Sequence, residues 1–101
     1  MNKITQIELE AAAFRQLIEH LRSHPEIQNI DLMIHGDFCR NCLAKWYMTA
    51  AKERGVEMDY EQARIQIYGM PYDEWKQQHQ QEATPQQLAA FEQKQQAKAN
   101  A

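Results

Sequence analysis

The sequence predicts an all-α fold, a compact bundle of about four to five helices, and three observations carry that expectation. Apolar residues recur at intervals of three and four along most of the chain. Only three glycines and three prolines occur in 101 residues, which leaves little room for a turn-rich β fold. No stretch alternates apolar and polar side chains with the period of two that a half-buried strand requires. Alanine, glutamine, glutamate and leucine, all good helix formers, fill the intervals.

The first helix is expected from Thr5, where Thr5 and Glu8 have the spacing of a capping box. Leu9, Ala13, Leu17 and Leu21, with Phe14 and Ile18, supply its apolar stripe, and Pro25 ends it. In "PEIQNIDLMIHG" a short helical turn starting at Asp31 packs Leu32, Met33 and Ile34 inward, and Gly36 breaks it. A central helix follows, with Asp37 as N-cap, an end near Arg54 and Gly55 just beyond. Phe38, Cys39, Cys42, Leu43, Trp46, Tyr47, Ala50 and Ala51 make its packing face, with Arg40, Asn41, Lys45 and Lys52 off it. Asp59 and Gln62 cap the next helix, in which Tyr60, Ala63, Ile67 and Tyr68 face the core and Gly69 closes. Pro71 opens a helix anchored by Tyr72 and Trp75. Thr84, Pro85 and Gln87 open the last one, where Leu88, Ala89 and Phe91 pack. Residues 1–93 form one domain on this basis, and 94–101 a frayed polar tail.

A net charge of −3 argues against nucleic acid and anionic membrane as partners. No apolar run reaches the ~18–20 residues of a membrane span. The opening "MNKITQIELEAAAFRQ" has no signal-peptide pattern, so the expected location is cytoplasmic. A modest core in a chain of this size favours self-association, so a homo-oligomer is expected.

The chemistry concentrates in "HGDFCRNCLAKWY", which holds both cysteines. Three readings stand for it. His35, Cys39 and Cys42 lie four and three residues apart, and on one continuous helix they would offer soft thiolate and imidazole ligands to zinc or iron. A fourth ligand would come from His20, His24, His79, Asp37, water or a second subunit. Alternatively, the C-x-x-C pair cycles between thiol and disulfide, with Arg40 favouring a thiolate at the helix start. The leading reading makes both cysteines core residues, since free cysteine is among the most buried residue types. Arg40 and Asn41 are then a solvated face, or, in the site readings, a polar shell that contacts an anion. Tyr68, Met70, Tyr72 and Trp75, in "YGMPYDEW", either line a pocket or partner surface or close the core between two helices. Motifs of zinc deaminases, nucleotide-binding loops and serine hydrolases are absent.

The runs "NIDLMIHGDFCRNCLAKWY", "YGMPYDEWK" and "ATPQQLAAFE" resemble the domain-of-unknown-function family 1244, short and mostly bacterial proteins. The likeness extends from about Phe14 to Phe91, and Phe38, Cys39, Arg40, Asn41, Cys42 and Leu43 match the family's hallmark. Here Asp37 stands between Gly36 and the hallmark phenylalanine, and the hallmark does not include His35. The resemblance implies an all-α fold and no particular activity. The combined expectation is a non-enzymatic, self-associating interaction module. The alternative is a metal or thiol-redox site at Cys39 and Cys42.

Overall fold

A computed structural model describes residues 1–100, and among these every regular element is a helix and none is a strand. Six helices follow one another: α1 Lys3–Ser23, α2 Asn29–Gly36, α3 Arg40–Glu53, α4 Tyr60–Tyr68, α5 Tyr72–His79 and α6 Pro85–Ala99. The all-α class is as expected. The count exceeds four to five because the stretch read as a short turn at Asp31 is a full two-turn helix.

The caps explain where each helix begins. Asn2, not Thr5, caps α1: its side chain accepts the Thr5 backbone N–H at 2.8 Å, so the helix starts two residues before Thr5. Asparagine ranks above threonine as an N-cap, and the upstream position wins. Asp31 lies in the first turn of α2, where its carboxylate accepts the Gln28 N–H at 3.0 Å. Asp37 does not begin the central helix. It ends α2 in the left-handed region, φ 62°, a conformation that aspartate tolerates better than most side chains. Cys39 takes the N-cap position of α3 instead. The capping boxes at Asp59–Gln62 and Thr84–Gln87 form as the spacing predicts. Pro71 stands immediately before α5, as its N-cap. The segment expected to fray after Lys94 continues α6 to Ala99, and Lys98 pairs with Asp37.

The core comprises Ile18, Leu21, Leu43, Ala44, Ala63, Ile67, Tyr68 and Trp75. Helices α3 and α4 form its most extensive contact, with α1 and α5 packed on α4 and α6 packed on α2. Ala44 and Ala63 are fully buried, and small residues there let α3 and α4 approach closely. Ile67, 1% exposed, contributes on the order of 1.5–3 kcal/mol by burial.

Two expected packing faces are displaced. On α1 the buried residues are Ile18 and Leu21, while Leu9, Ala13 and Leu17 are exposed. On α3 the inward face is Arg40, Leu43 and Ala44. Trp46 is 60% exposed, and Tyr47 and Ala50 are also outside. The start of α3 at Arg40 rather than Asp37 leaves Phe38 ahead of the helix, and packing on α4 turns the Arg40, Leu43 and Ala44 side inward. At Gly69, φ is 77° and an added Cβ would stand 2.9 Å from the Arg22 guanidinium. Arg22 crosses there to donate to the carbonyls of Gln66 and Ile67, capping the end of α4 rather than its own helix.

Candidate functional site

The C-R-N-C stretch sits where α1, α2, α4 and α5 converge. Arg40, the first residue of α3, is 1% exposed. Its Nη1 donates to the Ile27 carbonyl at 2.7 Å and to Asn29 Oδ1 at 3.1 Å. Its Nη2 donates to the His24 carbonyl at 3.0 Å and more weakly to that of Leu21 at 3.4 Å. These carbonyls belong to the end of α1 and the turn that leaves it. A cation there meets the negative end of the helix dipole; it supplies the Ile27 carbonyl with its donor and adds a second bond to the Leu21 and His24 carbonyls, which already accept the His24 and Ile27 N–H groups. The guanidinium also lies over the Trp75 ring, 5.0 Å from its centroid. No carboxylate pairs with Arg40 among the described residues. Burial lowers its pKa, yet an arginine so far above neutrality stays charged.

The network continues from Asn29. Its Oδ1 also accepts the Arg40 backbone N–H, and its Nδ2 donates to Tyr68 Oη at 3.1 Å. Tyr68 in turn donates to Asn41 Oδ1 at 2.7 Å. One polar chain therefore runs Arg40–Asn29–Tyr68–Asn41 and ties α3 to α2 and α4. Burial pushes the Tyr68 phenol far above its usual range, so it remains a hydrogen-bond donor at neutral pH. Gln28, also buried, donates to the His79 carbonyl and accepts from the Gln81 N–H, both at 2.9 Å. It fastens the segment after α5 to the start of α2.

A cleft of about 300 Å³ opens beside this joint, lined by Asn29, Asn41, Tyr72, Trp75 and Gln80 among others. Its aromatic lining is Tyr72 and Trp75, and Tyr68 behind them meets both edge to face, at 5.4 and 5.1 Å. Trp75 is buried, and Met70 and Tyr72 are half-buried. Tyr72 donates to Gln80 Oε1 at 3.2 Å across the rim. The Arg64 guanidinium lies between the rings of Tyr60 and Tyr72, 4.4 and 4.3 Å from their centroids.

The two cysteines are free and half-buried, with their sulfurs 3.9 Å apart. Burial raises the Cys39 pKa above its ordinary value, so the thiol form dominates at neutral pH. His35 is exposed on the last turn of α2. The left-handed break at Asp37 interrupts the continuous helix on which the three-ligand expectation depended. Among the described residues no group of three or more histidine, cysteine, aspartate or glutamate side chains is placed to hold a metal ion. Of the other expected ligands, Asp37 pairs with Lys98, His20 and His24 lie ring against ring at 4.5 Å, and His79 lies against Trp75.

The structure thus brings Arg40, Asn41, Tyr68 and Trp75 together, with Tyr72 and Met70 at the edge. The expectation that Arg40 lies on a solvated face is corrected. A packing face drawn through the apolar positions left Arg40 off it, whereas its three-carbon stem and guanidinium lie buried against the end of α1. Gln28, Asn29 and Arg64 were missed. Asn29 carried a signal as a turn and cap residue, while Gln28 and Arg64 look like ordinary surface residues in the sequence.

A family model described as "Protein of unknown function (DUF1244)" matches residues 27–93. The chain belongs to this family. The DUF1244 match spans α2 to α5 and most of α6, and so contains the whole polar joint except the α1 carbonyls that Arg40 caps. No curated relative matches the chain. Among the described residues no helix is long and apolar enough to cross a membrane.

Proposed function

We propose that this DUF1244 protein is a non-enzymatic, self-associating interaction module of the cytoplasm, in which the C-R-N-C stretch is an internal joint. One observation carries this reading. Arg40 directs four guanidinium hydrogen bonds at acceptors inside its own chain. A guanidinium with five N–H donors so engaged and buried has little left for a substrate. Asn41 is likewise engaged through Tyr68. A net charge of −3 favours protein partners over nucleic acid or anionic membrane.

A second reading is favoured by the 3.9 Å between the sulfurs of Cys39 and Cys42. A side-chain rotation would close that gap to bonding distance. Two thiols would then lose two protons and two electrons to an external disulfide, which would leave as two thiols. Zinc or iron would need ligands from beyond this chain to complete a site on the same pair.

Thiol kinetics separate the readings. Cys39, half-buried and shifted toward the thiol form, is expected to react with a thiol reagent at pH 7 more slowly in native than in unfolded protein. Cys39→Ser with Cys42→Ser should cost about 1–2 kcal/mol and leave the helical spectrum and the oligomeric state unchanged. Rapid disulfide formation in a glutathione buffer, or stoichiometric metal lost in the double variant, would replace the interaction reading with the thiol-site reading.

A further inference from the structure

Along α1, Ile4, Ile7, Ala11, Phe14, Ile18 and Leu21 are spaced three, four, three, four and three residues apart. That is an uninterrupted heptad seam. Its C-terminal layers, Ile18 and Leu21, are buried in the chain's own core. Ala11 and Phe14 are half-buried, and Phe14 stacks on Tyr47 of α3 at 6.4 Å. The first two layers have no neighbour: Ile4 is 69% and Ile7 53% exposed. Helix α1 overhangs the domain there. The radius of gyration, 15.7 Å, exceeds the ~13 Å expected for a compact chain of this length.

We infer that the overhang is a dimerisation seam, covered by the same segment of a second copy running antiparallel. The inference rests on the self-association proposed above and names its surface. Two arguments select this occupant and its direction. A parallel partner would have to continue alongside Ile18 and Leu21, where α4 already packs. An antiparallel partner leaves past the N-terminus, so the two domains lie at opposite ends of the contact. Charge then selects the register. With Ile4 against the partner's Ile7, Lys3 and Glu10 flank the seam at equivalent heptad positions. Lys3 faces the partner's Glu10, and the reciprocal pair forms by two-fold symmetry. Sliding one heptad deeper, with Ile4 against the partner's Phe14, sets Glu8 against the partner's Glu8 and Glu10 against the partner's Glu10. Lys3 forms no ion pair within its own chain among the described residues, so its ammonium is available for this contact. The seam is short, so the dimer it forms is weak and concentration-dependent.

Sedimentation equilibrium of the full chain tests the inference, with circular dichroism as a check on folding. The wild type is expected to pass from monomer to dimer over micromolar concentrations. Ile7→Glu, at an exposed position that folding does not use, should raise the dissociation constant at least about ten-fold with unchanged helicity. Lys3→Glu should weaken the dimer about three- to ten-fold, and Lys3→Glu with Glu10→Lys should restore it to within about two-fold. A dimer indifferent to Ile7→Glu would overturn the seam and leave self-association standing. A double charge reversal that fails to recover would overturn the antiparallel register. A wild type monomeric at every concentration would overturn both the seam and the self-association it rests on.

Discussion

Arg40→Ala is expected to cost about 3–5 kcal/mol, enough to leave a domain of this size partly or wholly unfolded. Three effects add in the same direction. The Ile27 carbonyl loses its donor, and the carbonyls of Leu21 and His24 and the Asn29 side chain, which each keep one backbone N–H, lose a second, in a place that water reaches poorly. The Trp75 ring loses the cation above it. A cavity is left where a 1%-exposed side chain stood. Arg40→Lys should rescue only part of the loss, since one ammonium cannot reproduce the planar fork that bridges the end of α1 and Asn29. Urea unfolding followed by circular dichroism measures both. Had Arg40 been the exposed residue expected from the sequence, alanine would change stability by no more than about 0.5 kcal/mol.

Trp75→Ala is the second large effect, expected at about 3–5 kcal/mol. Trp75 is the one buried residue of α5, and it is the floor on which Arg40, Tyr68 and His79 lie. Its removal detaches α5 and uncovers the guanidinium at once. Because Arg40 and Trp75 touch, their losses should not add: a double-mutant cycle should show a coupling of at least about 0.5 kcal/mol. Trp46 provides the contrast. It shares α3 with Arg40 and is 60% exposed, so Trp46→Ala should fall within about 0.5 kcal/mol of wild type by the same unfolding measurement.

These two tryptophans also mark how far the sequence could be read. Several local signals were legible: the capping boxes of Asp59 with Gln62 and Thr84 with Gln87, and the positive-φ glycines Gly55 and Gly69 at helix ends. Such signals span three or four residues and need no tertiary knowledge. The start of the central helix was not legible, because Asp37 suits an N-cap and a left-handed C-cap alike, and tertiary packing selected the second. The inward face of α3 was not legible either, because packing on α4 selected Arg40, Leu43 and Ala44 over the more apolar face through Cys42 and Trp46. Trp46 became a surface residue and Arg40 a buried one. Arg40's acceptors lie eleven to nineteen residues away in sequence, and no spacing rule reaches that far. The cysteines, expected in the core, are half-buried and outside it, with Cys39 at the N-cap of α3 and Cys42 in its first turn, and His35 is separated from them by the break at Asp37. On α1 the expected stripe held Ile18 and Leu21, which are buried, together with Leu9, Ala13 and Leu17, which are exposed. Only contact with α4 distinguishes the two sets.

The central claim is that Arg40 is an internal fastener of the fold and not a ligand-binding residue. Nuclear magnetic resonance of its guanidinium tests this directly. The chain has five arginines, Arg15, Arg22, Arg40, Arg54 and Arg64. The account predicts individually resolved, slowly exchanging Nη protons for Arg40, with side-chain protons shifted upfield by the Trp75 ring. Arg40 signals that are averaged and exchange as fast as those of Arg15 would contradict it, and would return the C-R-N-C stretch to the surface as a candidate binding site.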